Sequence, residues 1–327
     1  MAKDLLGVEI GNTYLYISQI SHGSVVRFYS AEIPEDAVIG DELVAFDAMV
    51  DVLKKAVHDG GFTTRKAALV VPDSATYVRR LKMPAMTEAQ LKVNLPYEYR
   101  DLIQDDKEKY TFDYSMIGMI NDENGTAREM ELLGAAMSNE LLENYIHMFA
   151  RAGLKLVKAA PRMIALQELM HLLFKEEMKG DLAVLDLSIA STKVDIIRNG
   201  VYETTRSIEA GLWDVAQAIA NDKNCDVHVA RQYLMSRDEG ALSSQACVDV
   251  YSSIAVEIRR ALNYYTYEVR DNTLDKLYYS GIGAWDQAFV QEIADNVSLP
   301  LVPLTSASGA EGQALLAAPV TVGICLE

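Results

Sequence analysis

Leu6-Gly7-Val8-Glu9-Ile10-Gly11 and Ala183-Val184-Leu185-Asp186-Leu187-Ser188 are the two stretches on which the fold of this chain turns. Each is a β-type apolar run that closes on an acidic residue, an apolar residue and a small one. Each leads into a second strand-like run, Tyr14 to Ile20 and Thr192 to Ile197. Each then reaches a turn glycine fourteen residues after its acid, at His22-Gly23 and Asn199-Gly200. The two sets are offset by 177 residues without a gap. This spacing predicts two related halves, each opening with a hairpin that carries a carboxylate, Glu9 or Asp186. Turns between strands offer backbone N–H groups to a phosphate. A carboxylate beside such a turn acts through Mg2+ and its waters, because direct contact with phosphate is repulsive. Two such hairpins facing one cleft make a nucleotide-phosphate site, whereas either acid alone is an ordinary strand end.

Outward from the first hairpin, residues 5–33 predict a three-run meander. Residues 42–58 carry a 3.6-residue apolar stripe through Leu43, Phe46, Met49, Val50, Leu53 and Val57, the pattern of an amphipathic helix. Gly60-Gly61 stops it, and Lys66 to Val71 returns as a strand. The next stretch predicts β-α-β-β-α. Tyr77 to Met83 is a strand ending at Pro84, and Thr87 with Gln90 makes a capping box for a helix that Pro96 kinks or shortens. Tyr110 to Ile120 and Glu129 to Met137 are strands, and Glu140 to Ala152 is a helix. This is a small α+β module inserted in the first half. A helix over 162–178 ends at Gly180, and the second half follows. It has helices from Gly211 to Ala220, Val227 to Met235, 247–270 and Gln287 to Val297, and a strand from Leu277 into Ser280-Gly281-Ile282-Gly283. The expected division is 1–76 for the first part of lobe one, 77–155 for the inserted module, 156–180 for a helix returning to lobe one, and 181–327 for lobe two.

The chain has 327 residues, enough for two or more domains with their own cores. Its 47 acidic against 30 basic side chains give a formal charge of −17, which argues against nucleic acid or anionic lipid as a non-specific partner. Cys225, Cys247 and Cys325 show no metal-knuckle spacing, and three cysteines without a framework fit a reducing compartment. Met1-Ala2-Lys3-Asp4 leads straight into a strand rather than a secretory signal, and no apolar run reaches membrane-spanning length, so a cytoplasmic protein without a transmembrane segment is expected.

Three elements carry chemistry. Glu9 and Asp186 are the candidate Mg2+ residues, with Gly11, Asn12 and Thr13 in the first hairpin loop and Ser188, Ser191 and Thr192 in the second. Gly281, Ile282 and Gly283 follow a strand, where glycines let backbone approach a flat ligand such as adenine; a plain strand–helix turn reads the same way. Arg259, Arg260, Tyr264, Tyr265 and Tyr267 on the long helix fit a solvated amphipathic rim better than a phosphate site. Asp73, Arg79, Arg80, Tyr97, Tyr99 and Arg100 are candidate partner contacts, since Arg and aromatic residues anchor interfaces. No P-loop, nucleophile elbow or HExxH is present.

Val8-Glu9-Ile10-Gly11-Asn12-Thr13, Leu185-Asp186-Leu187-Ser188 and Tyr279-Ser280-Gly281-Ile282-Gly283 resemble the two phosphate motifs and the adenosine motif of the actin/Hsp70/sugar-kinase superfamily. Leu81-Lys82-Met83-Pro84 with Met86-Thr87-Glu88, Leu133-Gly134-Ala135-Ala136, and the run from Glu257 to Tyr265 are similar to the PilM family of type IV pilus assembly proteins, a branch close to FtsA. The resemblance covers residues 5–324. It implies an α/β, bilobed actin-like fold of duplicated ribonuclease H-like lobes, with a small extra α+β module on the first. It also implies ATP and Mg2+ as cofactors, a cytoplasmic scaffold role, and a groove beside the module for the short cytoplasmic tail of a PilN-like inner-membrane protein that recruits the chain to the membrane's inner face. Self-association stays open.

The motifs depart from that family in places. Glu9 stands where Asp is usual, Asn12-Thr13-Tyr14-Leu15 replaces a small-residue run followed by Lys, and Ser188 stands where Gly is usual. Weak binding and at most slow ATP turnover are expected from these changes. The alternatives are an FtsA-like filament-forming ATPase of cell division, a kinase of the superfamily, for which no base is assignable, and a scaffold with a non-functional cleft.

Overall fold

The first half opens with β1 (Leu5–Ile10), β2 (Tyr14–Ser21) and β3 (Ser24–Glu32) in the computed structural model, which describes residues 4–40 and 42–326. Met1, Ala2, Lys3 and Glu327 lie outside the described residues, and with them the expected lead-in to the first strand and the last residue of the chain. The short ladder β4 (Val38–Ile39) and β5 (Glu42–Leu43) takes up the start of the expected helix, and α1 runs over Phe46–Asp59 with Met49, Val50, Leu53 and Val57 buried. β6 (Lys66–Val71) lies where the sequence places it.

Next come β7 (Tyr77–Pro84), α2 (Glu88–Asn94), β8 (Tyr110–Asn121) and β9 (Ala127–Ser138). The Thr87 hydroxyl accepts from the Gln90 N–H, and the Gln90 side chain accepts from the Thr87 N–H. These reciprocal bonds satisfy two N–H groups that a helix start leaves open. Pro96 ends α2 rather than bending it, and the chain passes into a 3₁₀ turn over Leu95–Tyr99. α3 (Asn139–Arg151), β10 (Lys155–Pro161) and α4 (Arg162–Leu173) follow. The second half has β11 (Asp181–Leu187), β12 (Thr192–Arg198), β13 (Val201–Ile208), α5 (Leu212–Lys223), α6 (Val227–Met235), α7 (Glu239–Leu242) and α8 (Gln245–Glu268). It closes with β14 (Leu277–Ser280), α9 (Gln287–Asn296), β15 (Leu301–Pro303), α10 (Gly309–Ala317) and α11 (Val320–Gly323).

The duplication is visible in the sheets. One runs β10-β6-β1-β2-β3 and the other β15-β14-β11-β12-β13. In both, the central strand pairs antiparallel with its hairpin partner and parallel with the strand on its other side. The two-residue turns match as well: His22 and Gly23 have φ 52° and 82°, Asn199 and Gly200 have φ 51° and 78°. Positive φ at both positions is the type I′ geometry whose twist suits a tight hairpin, and it is why glycine recurs there.

The module's sheet, β7-β9-β8, is antiparallel throughout. One face closes on α2 and the 3₁₀ turn through Leu81, Met83, Leu91, Leu95, Tyr99 and Leu132. α3 turns away from this core and packs on α1, with Tyr145, Met148 and Phe149 in the same cluster as Met49, Leu53 and Phe62. A third cluster joins the halves. α4, α10 and α11 contribute Ala165, Leu169, Leu315 and Val322 between Val70 of the first sheet and Val184 and Tyr278 of the second. Thr321 of α11 is hydrogen-bonded to buried Ser18 of β2 at 2.5 Å, so the chain's last described helix returns to the first sheet. This shared apolar floor holds the two lobes together beneath the space between their hairpins.

Candidate functional site

The two hairpins meet over that floor. In the first, Ile10 pairs with Leu15 and Glu9 with Tyr16; in the second, Leu187 pairs with Thr192 and Asp186 with Lys193. The loops close alike, by Gly11 N–H to Tyr14 C=O at 2.9 Å and Ser188 N–H to Ser191 C=O at 3.1 Å. A cavity of about 100 Å³ lies between them, lined by Glu9, Gly11, Asn12, Thr13, Asp186, Ser188, Ser191 and Ile282 of the expected residues. Thr192 is outside it: fully buried, its hydroxyl donates to the Ala210 carbonyl at 3.0 Å. Gly281 and Gly283 shape the wall behind. Gly281 has φ +95°, its N–H donates to the Leu316 carbonyl at 2.7 Å, and a Cβ there would sit 2.6 Å from the Leu187 backbone. Gly283 is buried against Leu187.

The cavity also holds a charge network that sequence patterns do not mark. Arg162, the first residue of α4 and 5 % exposed, donates to both carboxylate oxygens of Asp195 at 3.0 and 2.6 Å, and to Asp73 at 3.1 Å. Lys193 donates to the same oxygen of Asp73 at 2.9 Å. Asp195 also accepts from the Thr205 hydroxyl at 2.6 Å. Asp73 and Arg162 follow strands of the first sheet, whereas Lys193 and Asp195 sit on β12, so these bonds join lobe to lobe. Burial opposes ionisation of Asp73, yet Arg162 and Lys193 outweigh it and hold its carboxyl below its ordinary value.

Glu9 and Asp186 are different. Burial, and then repulsion from Asp186, raises Glu9 to about 8. Burial also raises Asp186, against the pull of Arg162 and the hydroxyl of Ser188, which donates to it at 2.6 Å. Two acids that resist ionisation side by side are suited to a divalent cation, whose charge removes the repulsion. Among the described residues, the buried Oδ1 of Asp73 has no hydrogen-bond partner, which leaves an acceptor for a cation's water. The donor set therefore fits hydrated Mg2+ held by Glu9 and Asp186. The cavity is partly open to solvent.

A second, larger space of about 430 Å³ lies on the module side. Strand alternation sends Tyr110, Phe112 and Tyr114 of β8 towards the module's core. Thr111, Asp113 and Ser115 point the other way, beside Val78, Leu133 and Ala135. That face is one wall of a groove whose other wall is Leu142 and Ile146 of α3 with Val157, Ala159 and Pro161 of β10. β10 is the edge strand of its sheet.

The remaining candidates lie outside the cleft. Tyr99 is core, Tyr97 lies between Arg100 and Lys107 at 4.3 and 3.9 Å from its ring, and Arg79 pairs with Asp101 at 2.7 Å. Arg80 bridges Glu131 at 2.8 Å and Glu203 of the second lobe at 2.5 Å. On α8, Arg260 pairs with Glu257 and Tyr264 lies under Arg206, the solvated rim that the sequence predicts, whereas Tyr265, expected on the same rim, is turned into the core of the second lobe.

Two lobes of equivalent topology, joined by a shared floor and facing each other through matched acid-bearing hairpins, define the actin-like ATPase fold. Among solved structures, a PilM–PilN type IV pilus biogenesis complex is similar over 99 % of this chain and 98 % of its own, at 18 % identity and TM-score 0.82. The ethanolamine utilization protein EutJ of Carboxydothermus hydrogenoformans is similar over 98 % and 89 %, at 15 % identity and TM-score 0.60. MreB 5 of Spiroplasma citri bound to AMPPNP is similar over 99 % and 95 %, at 13 % identity and TM-score 0.52. No curated protein matches the chain in sequence. The family described as type IV pilus assembly protein PilM matches residues 7–308, and the chain belongs to that family. Its function is in type IV pilus assembly. Among the described residues, no helix is long and apolar enough to cross a membrane.

Proposed function

We propose that the chain is a scaffold whose partner site is the groove between the module and β10, and whose cleft binds ATP with Mg2+ weakly and turns it over slowly or not at all. The observation that carries the first part is the groove itself. It is the exposed second face of a three-stranded sheet set against the free edge of another, the arrangement that accepts an extended peptide. Its walls are apolar, and Asp113 sits on its exposed rim. That chemistry suits a short apolar segment flanked by a basic residue, and the chain's net charge of −17 favours the same partner. The similar PilM is solved together with PilN. We assign the groove to the cytoplasmic N-terminal tail of a PilN-like inner-membrane protein, which would draw the chain to the inner face of the membrane. On this reading residues 77–155 act as the partner-facing insert, and 1–76, 156–180 and 181–327 as the actin-like frame.

For the cleft, Glu9 and Asp186 would hold Mg2+, the loops Gly11–Thr13 and Ser188–Ser191 would face the phosphates, and Ile282 the adenosine. Bound Mg2+ would neutralise phosphate charge; the chain's residues only hold and orient. Ser188 turned onto Asp186 supports weak occupancy. Calorimetric titration with a synthetic PilN-tail peptide tests the groove: binding should be lost in Ala135→Trp, which fills it. Binding unchanged in that variant refutes the assignment. ATP hydrolysis that is readily measured and abolished by Asp186→Asn would overturn the weak-cleft reading.

A further inference from the structure

The lobes also touch through residues that are not part of the floor. Tyr14, the first residue of β2, lines the cleft and packs against the core of the second lobe. Its neighbour across the first sheet is Glu32, the last residue of β3. The Tyr14 hydroxyl donates to Oε1 of Glu32 at 3.2 Å, and Arg231 of α6 donates to the same oxygen at 3.1 Å. The Arg231 guanidinium stands 5.8 Å from the centre of the Tyr14 ring, within reach of a cation–π contact. One turn earlier on α6, His228 Nδ1 lies 2.8 Å from Oε1 of Glu35, just beyond β3. The helix is therefore two-sided. Ala230 and Leu234 are buried in the core of the second lobe, whereas His228 and Arg231, neighbours on the helix surface, reach across to the first.

This contact and the Arg162 network join the same two lobes at different depth. Arg162 and Asp195 are both buried, so parting them strands a charge away from water. Glu32, Glu35 and His228 are each more than half exposed, and water takes the place of a lost partner at small cost. Arg231 is more enclosed, at 16 %, but the carboxylate it holds is open to solvent. Of the two contacts, the one on α6 is the weaker and gives first.

We propose that Arg231 and His228 of α6, closed on Glu32 and Glu35 over Tyr14, form a clasp across the cleft. Its release frees a wall of the cavity while the floor and the Arg162 network hold the lobes together as the hinge. The clasp thereby sets how fast a ligand enters and leaves. That the ligand is a nucleotide rests on the reading given above; the clasp itself does not.

The test is stopped-flow measurement of the full chain with the fluorescent nucleotide mant-ATP·Mg2+, for wild type, Arg231→Met, Glu32→Gln and the swapped double variant Glu32→Arg/Arg231→Glu. Methionine keeps the apolar stem of Arg231. Dissociation should be faster by about 2- to 5-fold in each single variant, the range that one exposed ion pair supplies. The swapped variant should return part of the way to wild type, which general damage to packing would not do. Urea midpoints of all variants should stay near wild type, because no buried charge is stranded. Hydrogen exchange of the nucleotide-free chain gives a second readout: amides of α6 and of residues 11–14 should exchange faster in Arg231→Met, with those of β1 and β11 unchanged. Dissociation at the wild-type rate in both single variants overturns the clasp, as does a swapped variant no slower than the single ones. If the wild type binds no mant-ATP·Mg2+, the nucleotide reading fails and exchange alone decides: faster exchange confined to α6 and residues 11–14 upholds the clasp, and unchanged exchange refutes it.

Discussion

Arg162→Leu should unfold the interlobe tie from its centre. The wild-type guanidinium is 6 % exposed and its main partner Asp195 is 1 % exposed, with bonds of 2.6 and 3.0 Å between them. Leucine keeps the aliphatic contacts at the start of α4 but leaves the Asp195 carboxylate in a buried place with only the Thr205 hydroxyl to serve it. Asp73 suffers less, because Lys193 still donates to it. Removing one partner of a buried pair costs about 3–5 kcal/mol, a large share of the roughly 5–15 kcal/mol by which folded proteins are stable. Urea unfolding followed by circular dichroism should show this as a lower midpoint. The second variant, Arg162→Leu/Asp195→Leu, should recover most of the loss, since an apolar pair of similar size replaces a buried ion pair at little cost. A loss below about 1 kcal/mol in the single variant, the value of an exposed pair, would refute the claim that this network is buried and joins the lobes. So would a double variant worse than the single one.

Other expectations follow from the same geometry. Glu9 is raised to about 8 by burial and by Asp186, so its protonated form favours the folded state. That stability is fully present below the unfolded carboxyl value and lost as pH rises through about 8; Glu9→Gln should therefore stabilise the metal-free protein at pH 7 by an amount on the order of 1–3 kcal/mol, and the gain should vanish near pH 4, as urea midpoints across pH would reveal. Gly281→Ala should cost about 2 kcal/mol or more, because φ is +95° and the added Cβ meets the Leu187 backbone at 2.6 Å; an unchanged thermal midpoint would count against that close approach. Ala135→Trp should block the tail peptide while leaving ATP·Mg2+ affinity within about twofold, since Ala135 lines the groove and not the cleft; parallel titrations with both ligands would show it.

Some of this protein is legible in its residues. The 177-residue repeat, the two hairpins, the capping box at Thr87 and the helices at Val227–Met235 and Gln287–Asn296 depend on local patterns, and these agree with the structure. β10 and β15 escape such a reading. β10 carries Lys155 and Lys158 in a seven-residue parallel edge strand, and β15 has three residues. Neither has an alternation to detect, and both exist because a neighbouring strand offers them a ladder. The site divides in the same way. Glu9, Asp186 and the loops beside them are marked by the repeat, but Gly281, Gly283 and Thr192, chosen for their type, serve packing instead of lining the cleft.

Sequence by itself determined that the chain is duplicated, that each half presents an acid beside a tight turn, and that a module interrupts the first half, because strand period, turn chemistry and capping act over a few residues. Tertiary structure alone decided that Asp73, Arg162, Lys193 and Asp195 form one interlobe network, that α11 returns to the first sheet, and that the module's spare face and β10 enclose a groove. Those contacts join residues dozens to hundreds apart in the chain. Their strength comes from burial and a low local dielectric, which exist only once the lobes have packed.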